Sequence, residues 1–238
     1  MSDDPPRHER STPPRYRWFD LIVGVFVTAL ITSNIVSAKV GYIAGFRVGC
    51  GIFVFPISYI FGDVLTEVYG YARSRRVIWI GFACATLASL VFLLADVIPP
   101  APGWDHQAAF HAVLGQLPRV VAASLVAYVM GEFFNSFVLA KMKVLTRGKH
   151  LWSRTIGSTL VGQAVDSAVF YPLAFLGSDG WTLHTVVEVA WHNYLVKCAV
   201  ETLFTPVTYA VVGFLKRSEG EDVYDTHTDF SPLKLKVE

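Results

Sequence analysis

Eight strongly polar side chains fall inside stretches of sequence otherwise too apolar to hold them. Asp63 and Glu67 lie in one stretch, Glu132 and Asn135 in another, Gln163 and Asp166 in a third, Lys197 and Glu201 in a fourth. Spacing says which share a helix face. Asp63 and Glu67 are four apart, and Tyr59 extends their stripe by one turn. Glu132 with Asn135, and Gln163 with Asp166, are three apart and again share faces. Lys197 and Glu201 are spaced to pair along one helix as a structural ion pair. Carboxylates and amides, with Phe55, Tyr59 and Phe61 close by, suit a flat, donor-rich heterocycle. A guanine-like edge offers an N–H beside an amino group, which one carboxylate can accept at two points, while an aromatic ring covers the face. A cationic amine would also suit these acids, and a phosphate would not.

The elements that carry these residues are membrane-like. Of 238 residues, 53% are hydrophobic and 16% charged, and mean hydropathy is +0.44. A soluble domain of this size needs a more polar surface. A net charge of +1 gives no reason to expect a nucleic-acid partner. Cys50, Cys84 and Cys198 match no paired-ligand spacing. Six apolar segments are long enough to cross a hydrocarbon core, at 19–38, 52–71, 77–97, 120–140, 156–176 and 186–215. The last should tilt or bend near Pro206. The expected fold is an all-α membrane protein of six transmembrane helices, with the bilayer as its solvent. It spans residues 18–217, between a disordered cytoplasmic tail at 1–17 and a polar tail of little order at 218–238. A short interfacial helix is expected in 98–118, from the spacing of His106, Phe110, His111 and Leu114.

Basic residues alternate between loops. Arg7, Arg10, Arg15 and Arg17 precede the first segment; Arg73, Arg75 and Arg76 follow the second. Lys141, Lys143, Arg147, Lys149 and Arg154 separate the fourth and fifth, and Lys216 and Arg217 follow the sixth. The other loops carry only Lys39, Arg47 and Arg119. The positive-inside rule then predicts an inner-membrane protein with both termini in the cytoplasm. Residues 1–38 look superficially like a cleaved secretory signal, but the charge pattern downstream favours a retained anchor.

Six ionisable groups near the bilayer centre would oppose insertion by roughly 15–20 kcal/mol at about 2.5–3.5 kcal/mol each. They must face one another, a polar cavity or a ligand. Internal similarity adds to this. Residues 62–71 read GDVLTEVYGY and residues 162–171 read GQAVDSAVFY; NIVSAK at 34–39 and NSFVLAK at 135–141 share the offset of about one hundred. Two inverted three-helix repeats would place the second and fifth segments across one site, with the first and fourth, and hence Asn34, beside it.

The run PISYIFGDVLTEVYGYARSRRVIW at 56–79 closely resembles the signature of the queuosine precursor transporter family, also called the vitamin uptake transporter family. LWSRTIGSTLVGQAVDSAVF at 151–170 resembles that family's second signature. The resemblance implies bacterial uptake of 7-deazaguanine precursors of queuosine, a modified base of tRNA, by a six-helix inner-membrane protein. A deazaguanine shows the donor-rich edge argued above. Asp63 or Glu67 on one side and Gln163 with Asp166 on the other are expected to clamp it, with Asn34, Tyr59, Glu132 and Asn135 lining the remainder. An alternative is the substrate-binding subunit of a vitamin importer driven by a separate ATPase, since the chain has no Gly-x-x-x-x-Gly-Lys loop. No Gly-x-Ser-x-Gly elbow or His-Glu-x-x-His motif suggests an enzyme, and no cofactor or metal is expected. Small residues Gly81, Ala83, Ala85 and Ala88 could form a helix contact within the chain or in a homo-oligomer.

Overall fold

The computed structural model describes residues 16–37, 39–43, 46–50, 54–115, 118–177, 182–226 and 228–232. The N-terminal tail before residue 16 lies outside these, so its expected disorder is left open. Seven helices follow in chain order: α1 (Phe19–Ser37), α2 (Phe55–Tyr69), α3 (Tyr71–Val97), α4 (Gln107–Leu114), α5 (Pro118–Leu145), α6 (Leu151–Phe175) and α7 (Leu183–Glu219). The chain is all-helical, as expected, apart from one short hairpin. Strands β1 (Val40–Ile43) and β2 (Phe46–Gly49) form an antiparallel hairpin after α1, with Val40 opposite Gly49. Short helix α4 falls where the spacing of His106, Phe110 and Leu114 predicted it.

Among the described residues four helices are long and apolar enough to cross a membrane, at Phe19–Val36, Tyr71–Val97, Ala122–Leu145 and Leu183–Glu219. The two that fall short of the six expected have physical reasons to differ. Helix α2 has 15 residues, about 22 Å at 1.5 Å per residue, against a hydrocarbon core of about 30 Å. It is buried on every side from Gly62 to Gly70, with Val64, Leu65 and Val68 packed against Ile22 and Phe26 of α1, Val77 of α3, and Val212 and Leu215 of α7. Helix α6 is long enough at 25 residues, but its buried face is polar: Arg154, Thr155, Ser158, Thr159, Gln163 and Ser167 all point inward. Meanwhile Leu87, Leu94, Leu203 and Phe214 are at least half exposed. Polar inside and apolar outside is the reverse of a soluble protein. Water would penalise both faces, whereas lipid favours the outer one and forces the inner one to pair internally. This is a multi-pass membrane protein.

Local signals set the helix ends. Pro56 stands in the first turn of α2, where its missing N–H costs nothing. Gly70, at φ +84°, ends α2 and starts α3. Thr182 caps α7 by accepting the backbone N–H of Thr185, and Gly220 closes it at φ +66°. Helix α7 runs 37 residues with Pro206 inside it.

Helices α5 and α6 approach at two glycines. A β-carbon on Gly162 would sit 2.8 Å from Cβ of Asn135 and 3.0 Å from the Gly131 carbonyl. One on Gly131 would sit 3.0 Å from Cβ of Asp166. Those neighbours cannot move without parting the helices. We expect Gly162→Ala to cost about 1–3 kcal/mol by overpacking, read as a lower unfolding temperature in detergent; an unchanged temperature would mean that the helices are not held this close. Gly81 serves a similar contact inside the chain, against Tyr128, Phe26 and Leu30.

At one end of the bundle the basic residues gather, and the C-terminal segment is ordered across them. This corrects the expectation of little order after residue 218. Asp225 accepts the backbone N–H of Tyr71, at 3.0 Å for its nearer oxygen, and so caps α3. The buried Arg75 guanidinium donates to the carbonyls of Asp229 and Ser231. Phe230 packs on Tyr71, with the Lys141 ammonium 4.0 Å from its ring centre. Glu219 accepts the N–H groups of Arg17 and Trp18 at the start of α1. Acidic composition suggested a solvated tail; here its carboxylates and carbonyls find donors that the helix ends leave unpaired.

Candidate functional site

The α5–α6 glycine contact puts Glu132 and Asn135 beside Gln163 and Asp166, and α2 closes over them. Glu132 Oε2 lies 3.1 Å from where a Gly62 β-carbon would be, so this glycine lets the carboxylate reach the α2 backbone. Asn135 Nδ2 donates to Asp63 Oδ1 at 2.9 Å. Lys197, from α7, donates to Asp166 Oδ2 at 2.6 Å. Glu201 lies one turn further along α7 and accepts the hydroxyl of Thr159. Each member of the pair expected between Lys197 and Glu201 thus has a contact across to α6. The ammonium finds a carboxylate on the neighbouring helix, and a hydroxyl meets Glu201.

Five of the expected site residues therefore converge: Asp63, Glu132, Asn135, Gln163 and Asp166. Glu201 joins them, close enough for its carboxylate to interact with those of Asp63 and Glu132. Burial is deep, with exposures of 2% for Asp63, 3% for Glu132 and 0% for both Asn135 and Gln163. Several polar atoms here have no hydrogen-bond partner among the described residues: Glu132 Oε2, Asn135 Oδ1, both amide atoms of Gln163, Ser167 Oγ and Glu201 Oε2. The Gln163 amide lies next to Glu201 but out of hydrogen-bonding geometry with it. Buried polar groups are normally satisfied, and each orphan costs about 1–3 kcal/mol. Concentrated in one place, on the three helices α5, α6 and α7, they make an acceptor-rich cradle whose chemistry suits a polar molecule with several donors.

Three expected residues stand elsewhere. Glu67 is one turn from Asp63 along α2, at the basic end. Its Oε1 is 2.7 Å from Arg154 Nη2 and 2.7 Å from Lys216 Nζ. Lys143 donates to the Glu67 carbonyl at 2.5 Å and to Asp222 at 2.6 Å, and Lys216 reaches Asp222 at 2.8 Å. Burial tends to raise the Asp222 carboxyl, but the two lysines outweigh it and hold the group below its usual range. It stays ionised and ties the C-terminal segment to the cluster. Asn34 is exposed and lines a cavity of about 240 Å³ between α1, α3, α4 and α5, with Thr86, Ser89 and Ser124. Tyr59 is on α2, but its side chain lies outside the described residues.

Sequence spacing found the acid–amide faces but missed Thr159, Ser167 and the share of Glu201. Hydroxyls at 155, 158, 159 and 167, with Gly162 and Gln163 between them, were the available signal, since their helical spacing marks one polar face in an apolar helix.

Comparison with known proteins agrees with this architecture. Residues 49–211 match the family described as "Putative vitamin uptake transporter". Among curated proteins, the "Probable queuosine precursor transporter" of Bacillus subtilis (strain 168) is 31% identical over 206 residues, covering 83% of this chain and 87% of the relative. The "Queuosine precursor transporter" of Escherichia coli (strain K12) is 25% identical over 206 residues, covering 85% and 89%. No solved structure matches the chain. With more than half its length matched by the family model and most of it by these relatives, the chain belongs to the vitamin uptake transporter family.

Proposed function

We propose that this protein carries 7-deazaguanine precursors of queuosine into the bacterial cell across the inner membrane. The observation that carries the reading is the enclosed set of orphaned carboxylate and amide atoms on α5, α6 and α7, with Asp63 of α2 beside them. The names of the relatives supply the substrate class, and the chemistry of the cradle is compatible with it. A deazaguanine presents an N–H beside an amino group. Asp63 and Glu132 accept that edge, Gln163 offers an amide edge of its own for the ring carbonyl and its neighbour, and Asn135 and Asp166 complete the wall. Glu67 is left out of the cradle because Arg154 and Lys216 already hold its carboxylate.

In this reading α2 and α6 cross the membrane with the four apolar helices. Their polar faces are tolerated because the others shield them from lipid. The basic end, with both termini, lies in the cytoplasm. The two halves act as inverted repeats around the cradle.

The test is entry of a labelled 7-deazaguanine base into liposomes holding the purified protein, against protein-free liposomes and with excess guanine as competitor. Saturable, competed uptake supports a self-sufficient carrier. Binding without uptake would make the chain the binding subunit of an importer with a separate ATPase. Neither, in folded protein, would remove this substrate class.

A further inference from the structure

The deep cradle holds more negative charge than one bound base requires. Asp63, Glu132, Asp166 and Glu201 bring four carboxylates together, and Lys197, at 2.6 Å from Asp166, is the ammonium among them. Buried Lys143 and Arg154 and half-buried Lys216 belong to the Glu67 cluster at the basic end. Ionised carboxylates sealed from water without counter-charge cost several kcal/mol each, whatever the local geometry. A carrier must pass through a state closed at both ends. In that state the charge has to be cancelled by something that enters with the substrate.

Glu201 is the carboxylate best placed for this. It is 7% exposed, one oxygen takes the Thr159 hydroxyl and the other has no partner. The groups that face it are Asp63 from α2, Glu132 from α5, Thr159 and Gln163 from α6, and Cys198 from its own helix. Lys197, one turn back on the same helix, is a nearby cation, and its ammonium is 2.6 Å from Asp166. The amide of Gln163, fully buried and with both atoms unpartnered, links Glu201 to the wall that would hold the base. Occupancy of one can therefore be sensed at the other.

We infer that Glu201 is a proton-carrying site, loaded and unloaded once per transport cycle, so that entry of the base is driven by the proton gradient. This rests on the transport reading above, but adds an energy source that the reading does not need. The proton binds Glu201 from the acidic side, neutralises the carboxylate for closure, and leaves to the alkaline side with the base. No bond other than O–H forms or breaks.

The experiment uses the full chain in liposomes and two measurements with the same labelled 7-deazaguanine base. Counterflow, the exchange of labelled for unlabelled base, needs no gradient. Accumulation against an imposed inside-alkaline gradient does. For one proton per base, one pH unit sustains up to about a tenfold concentration ratio, which a protonophore collapses. We expect wild type to show both. In Glu201→Gln, whose side chain is part of the cradle, counterflow is expected to fall, and in whatever counterflow remains the ratio under the gradient falls to about one. Counterflow in wild type without accumulation overturns the proton site and leaves the transport reading standing, as does accumulation by Glu201→Gln equal to wild type. Absence of counterflow in folded wild type overturns both. Should Glu201→Gln fail to fold or lose counterflow altogether, Thr159→Val gives the answer. It removes a donor that favours the ionised carboxylate, so the alkaline limb of the pH dependence moves to higher pH; an unmoved limb overturns the assignment.

Discussion

Asp63→Asn should reduce uptake of a 7-deazaguanine base by at least about tenfold while leaving the fold intact. The substitution keeps the shape of the side chain and can keep one contact with the Asn135 amide, which now sits 2.9 Å from Oδ1. What it removes is a charged acceptor at the floor of the cradle, 2% exposed on α2. Hydrogen bonds to charged groups contribute about 1.5–3 kcal/mol, which corresponds to roughly 10- to 150-fold in binding. It also puts an N–H₂ where the base brings its own donors, so part of the loss is repulsive. The measurement is initial uptake by variant and wild type at matched membrane levels, with unfolding temperature in detergent as the control for folding. Wild-type uptake from a well-expressed variant would take Asp63 out of the cradle. Loss of both uptake and unfolding temperature would make its bond with Asn135 structural.

Glu67→Ala should instead act on stability, and more severely. The Glu67 carboxylate is fully buried and holds Arg154 and Lys216 at 2.7 Å each, with Lys143 at 3.8 Å. Arg154 and Lys143 are themselves 1% exposed. Removing the acid leaves two buried cations facing one another across a space that water reaches poorly. Breaking a buried pair in this way costs about 3–5 kcal/mol, a large fraction of the stability of a typical domain. The expected result is a strongly lowered unfolding temperature, with unchanged affinity for the base in the fraction that remains folded. Normal stability with lost binding would return Glu67 to the cradle, where its spacing from Asp63 first placed it. The two substitutions are one helical turn apart, yet one should separate function from stability and the other should not.

The C-terminal segment makes the same cluster a joint. Asp222 bridges Lys143 and Lys216, and three residues later Asp225 caps α3. Helices α2, α3, α5, α6 and α7 are thus tied at the basic end by charges, while the cradle one turn away is left with unpaired acceptors. Rigidity at one level and unmet polar demand at the next is the arrangement expected of a site that waits for a ligand.

Much of this was legible in the amino-acid order because it rests on local rules. Apolar length and helical spacing set the four long apolar helices and the small one at 107–114. The three- and four-residue intervals put Glu132 with Asn135, and Gln163 with Asp166, on common faces, and the cost of charge in lipid turned those faces inward. Periodicity cannot say which faces meet. That Lys197 reaches Asp166 rather than Glu201, and that Glu67 answers Arg154 87 residues away, follow from how α2, α6 and α7 pack. Asn34 was grouped with the acids on the strength of a repeat, but helix α1 carries it to a separate cavity under α4. The acidic tail looked solvated because composition carries no record of the unpaired N–H groups at the start of α3. Only the packed helices bring those donors to Asp225, since hydrogen-bonding need at a helix end is local while its partner can come from anywhere in the chain.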